Sequence, residues 1–307
     1  MFDPKMLKHM VQLQRHELTD HYIYKKLAKK QKNEHNRKIL EKIAEDEYRH
    51  YMFWKHLTNQ DVQPRWFEIG LFSLIARLFG LTFGIRLKEK GEEKTQYLYA
   101  ELRGKVKGIE ELIADEEVHE DELINALEED VLHYVGSAVS GLFHALSGLL
   151  GAMAGLTFMA LDSTYTPLIG FFGLLVGFAT TLSIGTSEYF HACKVRGGRF
   201  AFKLMLHIGF THLISAGLTT LPYFLISKGN FSLFGWTFDS IFLSLAFSYF
   251  IVLLLFFLFN FYVTVAKNLP TSRQFLKLVM VSLGVLILSA LVGFGIGHWT
   301  GFPPALR

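Results

Sequence analysis

Two charged stretches of the chain carry the same short pattern. EDEYRH at 45–50 holds Glu47-x-x-His50, and DEEVHE at 115–120 holds Glu116-x-x-His119. A spacing of three puts both side chains on one face of a helix, so each pair can present a carboxylate and an imidazole to the same point. Each is preceded, one helical stretch earlier, by an acidic pair at the same spacing: Glu17-x-x-Asp20 before the first and Glu89-x-x-Glu92 before the second. Glu17 and Glu47 are 30 residues apart, and Glu89 and Glu116 are 27 apart, which fits a duplicated helical hairpin. Pointed inward from facing helices, such a set supplies the bridging and terminal ligands of a two-metal carboxylate site. A charged helix also yields Glu-x-x-His by chance on a solvated face. The repetition, each time behind an acidic pair, is what a dinuclear bundle requires. Oxygen and imidazole donors suit iron or manganese better than copper or zinc, which more often recruit thiolate or several histidines.

Four helices must position these groups. Residue patterning predicts them at about 5–31, 33–58, 86–103 and 108–131, with Gly104 and Gly108 marking the last turn. Four helices in series with short connections give an antiparallel bundle. Glu45, Glu117, Glu120 and Glu122 are expected as surface charge, and His9, His16, His21, His35 and His56, which have no counterpart in the repeat, as surface or packing residues. One interruption stands out: WFEIGLFSLIARLFGLTFGIRL at 66–87 is apolar enough to suggest a membrane crossing, yet Arg77 sits at its centre, where a charge is costly. A crossing there would also separate residues 1–60 from 88–130. The segment is therefore expected to be an interfacial or domain-packing helix, broken near Gly80 or Gly84.

Charge divides the chain in two. Residues 1–130 hold 22 Lys+Arg and 25 Asp+Glu, whereas 131–307 hold only 9 and 3. The first part, 1–130, suits water; the second, 131–307, suits lipid. The net charge of +3 averages two solvents and is no sign of nucleic-acid binding. Five stretches, at about 134–161, 168–192, 202–226, 239–265 and 277–299, are long and apolar enough for transmembrane helices. The expected fold is all-α, a four-helix bundle followed by a five-helix transmembrane domain. Lys194, Arg196, Arg199, Lys203, Lys267, Arg273 and Lys277 lie in loops on one side of these spans, against Lys228 and Arg307 on the other. That bias places the basic loops and the amino-terminal domain in the cytosol and the carboxyl terminus outside. The polar opening residues show no signal peptide, which favours a prokaryotic plasma membrane. A single cysteine, Cys193, excludes an intrachain disulfide framework and any four-cysteine metal module. Glycines and serines crowd the first two spans, among them Gly141, Gly148, Gly151, Gly155, Gly170, Gly173, Gly177 and Gly185. Close helix packing and a transport path both use such faces.

The duplicated pattern resembles the rubrerythrin branch of the ferritin-like superfamily, over about residues 1–130. That resemblance implies metal ligation by Glu17, Glu47, His50, Glu89, Glu92, Glu116 and His119, with Asp20 a weaker candidate, and places Tyr24 and Tyr97 near the metals. The implied cofactor is a dinuclear iron centre, or manganese. Typical rubrerythrins add a four-cysteine rubredoxin module that this chain lacks, so iron oxidation or sensing fits better than peroxide turnover.

The second part is similar to the vacuolar iron transporter family, which also has five spans. The resemblance rests on GSAVSGLFHALSGLLGAMAGLTFMAL (136–161), GLLVGFATTLSIGTSEYF (173–190) and SLGVLILSALVGFGIG (282–297). It implies a homodimer associating through the membrane helices. The family's acidic positions in span one fall here at His144 and Gly148, and its methionine in span two at Ile184. Glu188 retains an ionisable group and is the leading pathway residue, followed by His144 and His191. The combination resembles the membrane-bound ferritin type of fusion, which implies export of Fe(II) from the cytosol. A membrane-anchored diiron oxidase or peroxidase without transport is the alternative, and a metal sensor that gates transport is a third.

Overall fold

The computed structural model describes residues 3–91, 93–118, 127, 130–226, 230–233, 236–269 and 271–302. The fold is all-α, apart from a short hairpin of β1 (Asn230–Leu233) and β2 (Trp236–Asp239) that the sequence reading did not anticipate. Two compact units part between Leu132 and His133, with Val265–Asn268 grouped with the first.

In the first unit, α1 (Pro4–Lys30) and α2 (Glu34–Thr58) form a helical hairpin. Proline at the start of α1 costs no hydrogen bond there, and Lys29 and Lys30 complement the carboxyl end of the helix dipole. Asn33 caps α2 by accepting from the backbone N–H groups of His35 and Asn36. Asn59, with φ 50°, ends it in the left-handed conformation. The buried positions of α2 run Ile39, Leu40, Ile43, Ala44, Glu47, His50, Tyr51, Trp54 and Thr58. This is a three–four spacing, and Glu47 and His50 occupy core-facing places within it. Glu17 and Asp20 do the same on α1, between Leu13 and Ile23.

The 66–87 segment is two helices. α3 (Trp66–Phe79) and α4 (Leu81–Lys90) meet at Gly80, whose φ of 101° is open to glycine but strained for other residues. Gly84 is not the break: a Cβ there would lie 2.8 Å from Ala76, so glycine lets α4 close onto α3. Ile69, Ala76, Leu81 and Ile85 join the core of Ile23, Leu27, Ile39, Leu40 and Ile43, which makes this a packing element of the bundle. The outer face of α3, with Phe67, Leu74 and Leu78, is exposed.

The third predicted helix is also divided, because α4 ends at Gly91 and α5 (Glu93–Leu102) starts anew. α6 (Ile109–Val118) follows the Gly104 and Gly108 turn, both glycines having positive φ. A second core gathers Met10, Leu13, Trp54, Leu98, Tyr99, Leu102, Ile109 and Leu112, and so draws α5 and α6 to the α1–α2 hairpin.

In the second unit, five helices are long and apolar enough to cross a membrane, as composition predicted. They are α7 (Asp130–Ala160), α8 (Thr166–Arg196), α9 (Gly198–Thr220), α11 (Ser240–Ala266) and α12 (Thr271–Thr300), with α10 (Pro222–Leu225) a single turn after α9. Leu146, Leu149, Leu150 and Met153 of α7 pack with Ala216, Tyr223, Ile241, Val252 and Phe256. Glycines set the closest approaches. A Cβ on Gly293 would stand 1.9 Å from the Gly155 carbonyl oxygen, and one on Gly297 would stand 2.6 Å from that of Met159. On α8, Gly173 and Gly177 admit Thr220 and Ala216 of α9 at 2.7 Å from the same construction. Close packing thus accounts for these small residues.

Gly293→Ala should therefore force α7 and α12 apart, at a cost of about 1–3 kcal/mol for overpacking. Thermal unfolding in detergent should show a lowered midpoint. Gly148→Ala, with nothing within 4 Å of its Cβ, should leave the midpoint unchanged.

Candidate metal centre

The α1–α2 seam and the end of α6 bring four of the predicted ligands together. Glu17, Glu47, His50 and Glu116 each offer a donor atom, and these atoms all lie within 4.8 Å of one another. Glu17, Glu47 and His50 are buried, while Glu116 is partly accessible. His50 Nδ1 lies 3.0 Å from Glu116 Oε1 and 3.8 Å from Glu47 Oε2, and its Nε2 lies 3.4 Å from Asp115 Oδ2. One nitrogen thus faces the cluster and the other is steadied by a carboxylate, an arrangement that also orients metal-binding histidines.

The electrostatics describe a site short of positive charge. Burial, with the negative charges of Glu116 and Glu47, pushes the Glu17 carboxyl well above its usual range, and Glu17 shares a hydrogen bond with Glu47. Burial alone would lower the His50 imidazole, but hydrogen bonds with Glu116 and Glu47 outweigh it and hold the group up at about 10. The proton held by His50 therefore neutralises part of the cluster near pH 7, and Glu17 keeps its own to higher pH than an ordinary carboxyl does. A divalent cation at the same point would do so more completely, and three carboxylates with one imidazole are a donor set it fits.

Two tyrosines brace the acids. Tyr99 donates to Glu17 Oε1 at 2.5 Å, with its ring against Trp54, and Tyr24 donates to Glu89 Oε1 at 2.6 Å. Tyr97, the expected near-metal tyrosine, is 67% exposed. Tyr99, two residues further along α5, takes the inward place instead.

Among the described residues, the other predicted ligands stand outside this group. Glu89 stands with Tyr24 and Lys88 outside the four-residue group. Asp20 pairs with Lys88 at 2.9 Å, and both are buried, so this weaker candidate answers a lysine instead. Glu92 and His119 lie outside the residues whose side chains are described.

In the membrane unit, Glu188 is 8% exposed and is the one buried carboxylate among the described residues there. His144 and His191 are both exposed on the single chain, so the three predicted pathway residues do not form one buried cluster. The sequence reading missed His212, which is buried on α9 and bonded to Thr181 of α8. Neither histidine of α9, His207 nor His212, belongs to a motif. The available signal was that Thr181 and His212 lie about equally far from the turn at Gly197.

Comparison with known proteins finds no matching family model, curated protein or solved structure.

Coordination requires His50 to give up its proton, so metal binding should acidify the medium and tighten as pH rises through neutrality. Anaerobic titration of the weakly buffered, detergent-solubilised chain with Fe(II) or Mn(II) should release about one proton per site from His50, and more as Glu17 contributes at lower pH. Binding without proton release would contradict the assigned protonation. Glu47→Gln should weaken binding by at least tenfold, in the range expected for losing a direct ligand or its orienting partner.

Proposed function

We propose that the chain is an iron exporter, in which a cytosolic diiron bundle binds, senses or oxidises iron and the five membrane helices move Fe(II) outward. The observation that carries this reading is the convergence of Glu17, Glu47, His50 and Glu116 in a chain that also has five helices of membrane-crossing length. Buried carboxylates joined by one imidazole favour iron or manganese. Glu89, Glu92 and His119 would complete a dinuclear set, in keeping with the duplicated pattern. The excess of basic residues around the α8–α9 turn and the first turns of α12 supports a cytosolic bundle.

The protein's own groups have definable tasks in this scheme. Tyr99 fixes one Glu17 oxygen, Asp115 steadies the outer nitrogen of His50, and the partly accessible Glu116 marks the side from which an ion enters. Bound iron would supply one-electron chemistry at the bundle. Glu188 would offer a carboxylate to the crossing cation. A prokaryotic plasma membrane and a homodimer built on the membrane helices belong to the same proposal.

A second reading, a membrane-anchored diiron oxidase without transport, draws support from the exposure of His144 and His191, which leaves Glu188 as the sole buried pathway candidate.

Full-length protein in sealed vesicles separates the two. Export predicts Fe(II) flux that falls to background in Glu188→Ala while the bundle keeps its metal. Oxygen consumption with no flux in the unaltered protein would establish the anchored enzyme and overturn export.

A further inference from the structure

The two ring nitrogens of His212 stand in different circumstances. The residue is 0% exposed, midway along α9. Its Nδ1 lies 2.6 Å from Thr181 Oγ1 on α8. The Thr181 hydroxyl has a single hydrogen and donates it to the Gly177 carbonyl, 2.7 Å away and one turn back on its own helix. Thr181 can then only accept from the imidazole, so Nδ1 carries the ring's hydrogen and Nε2 is left as a basic lone pair. That Nε2 is buried and meets no hydrogen-bond partner among the described residues.

The surroundings sharpen the contrast. The same face of α9 carries buried Ser215, Thr219 and Thr220. These donate to the carbonyls of Thr211, Ser215 and Ala216. Tyr223 of α10 bonds Thr157 of α7 at 2.7 Å, and Ser248 of α11 donates to the Thr219 carbonyl. These hydroxyls are satisfied within the helices, whereas His212 Nε2 is not.

Charged and titratable neighbours are few. On α8 there is Glu188, two turns beyond Thr181 and also buried. On α9, His207 is exposed and its Nδ1 lies 2.8 Å from the carbonyl of Lys203, itself exposed. α7 contributes only the exposed His144 along its membrane-crossing length, α10 contributes Tyr223, and α11 meets this region through the uncharged Ser244 and Ser248.

We propose that His212 is a proton-binding residue inside the membrane-crossing unit. Nε2 takes one proton from water to give an imidazolium that keeps its Nδ1–H bond to Thr181, and returns that proton to water. No other bond is made or broken. The inference goes beyond the export reading and holds whether or not a metal crosses.

Nitrogen NMR of the full chain, labelled with ¹⁵N-histidine, kept metal-free and embedded in lipid discs, tests it directly. His212→Gln identifies the signals by subtraction. The expected result is a neutral form at high pH with hydrogen on Nδ1, followed by a shift of Nε2 to its protonated position as pH falls. Over the same range the unaltered chain should bind one more proton than His212→Gln. Hydrogen on Nε2 at high pH, or equal proton uptake by the two proteins, would overturn the proposal. Thr181→Val supplies a second arm that leaves the histidine in place. It should produce a mixture of both neutral tautomers, and an unchanged single tautomer would refute the hydrogen-bond direction on which the inference stands.

Discussion

Carboxylates confined to the interior of a helical bundle repel one another, and everything around Glu17, Glu47 and Glu116 answers that repulsion. Seam positions that would otherwise hold leucine or isoleucine hold acids, so the bundle gives up apolar burial at its centre. Compensation comes in layers. A proton resides on His50, Glu17 holds its own more tightly than an ordinary carboxyl, the Tyr99 hydroxyl binds one carboxylate oxygen, and Lys88 neutralises Asp20 nearby. The hydrophobic clusters on either side, one around Ile43 and one around Trp54, hold the helices together despite the charge between them. Such a seam is poorly suited to structural duty alone, since apolar side chains of similar volume would serve stability at least as well.

Much of this was legible in the chain because periodicity and hydropathy are local properties. The α1–α2 hairpin, the inward face of Glu47-x-x-His50 and the five membrane-length helices follow from side-chain spacing alone. What escaped depended on backbone breaks and on partners distant in sequence. Assigning Tyr97 assumes that one helix runs from Glu89 through the tyrosines. The helix stops at Gly91, and it is Tyr99 that turns inward, to Glu17. Asp20 has the spacing of a ligand, but Lys88, 68 residues away, reaches it first. The Gly80 break was narrowed to two glycines, and only packing against Ala76 shows what Gly84 is for.

The membrane unit joins its helices in two ways. Along α8 and α9, glycine and alanine alternate with hydroxyls and one imidazole, so apolar contact and interhelical hydrogen bonding share a single interface. Along α7 and α12 the contact is backbone against backbone at Gly155–Gly293 and Met159–Gly297, with Val285 and Ser289 filling the space over Gly151. Neither arrangement follows from hydropathy, which treats both as apolar helix.

The touching carbonyl and glycine of Gly155 and Gly293 carry a mechanical implication. Helices locked main chain to main chain cannot roll or slide past each other without a steric collision, so α7 and α12 behave as one strut. Any rearrangement that opens this unit must swing that strut whole, or occur elsewhere, where side chains with alternative rotamers can yield.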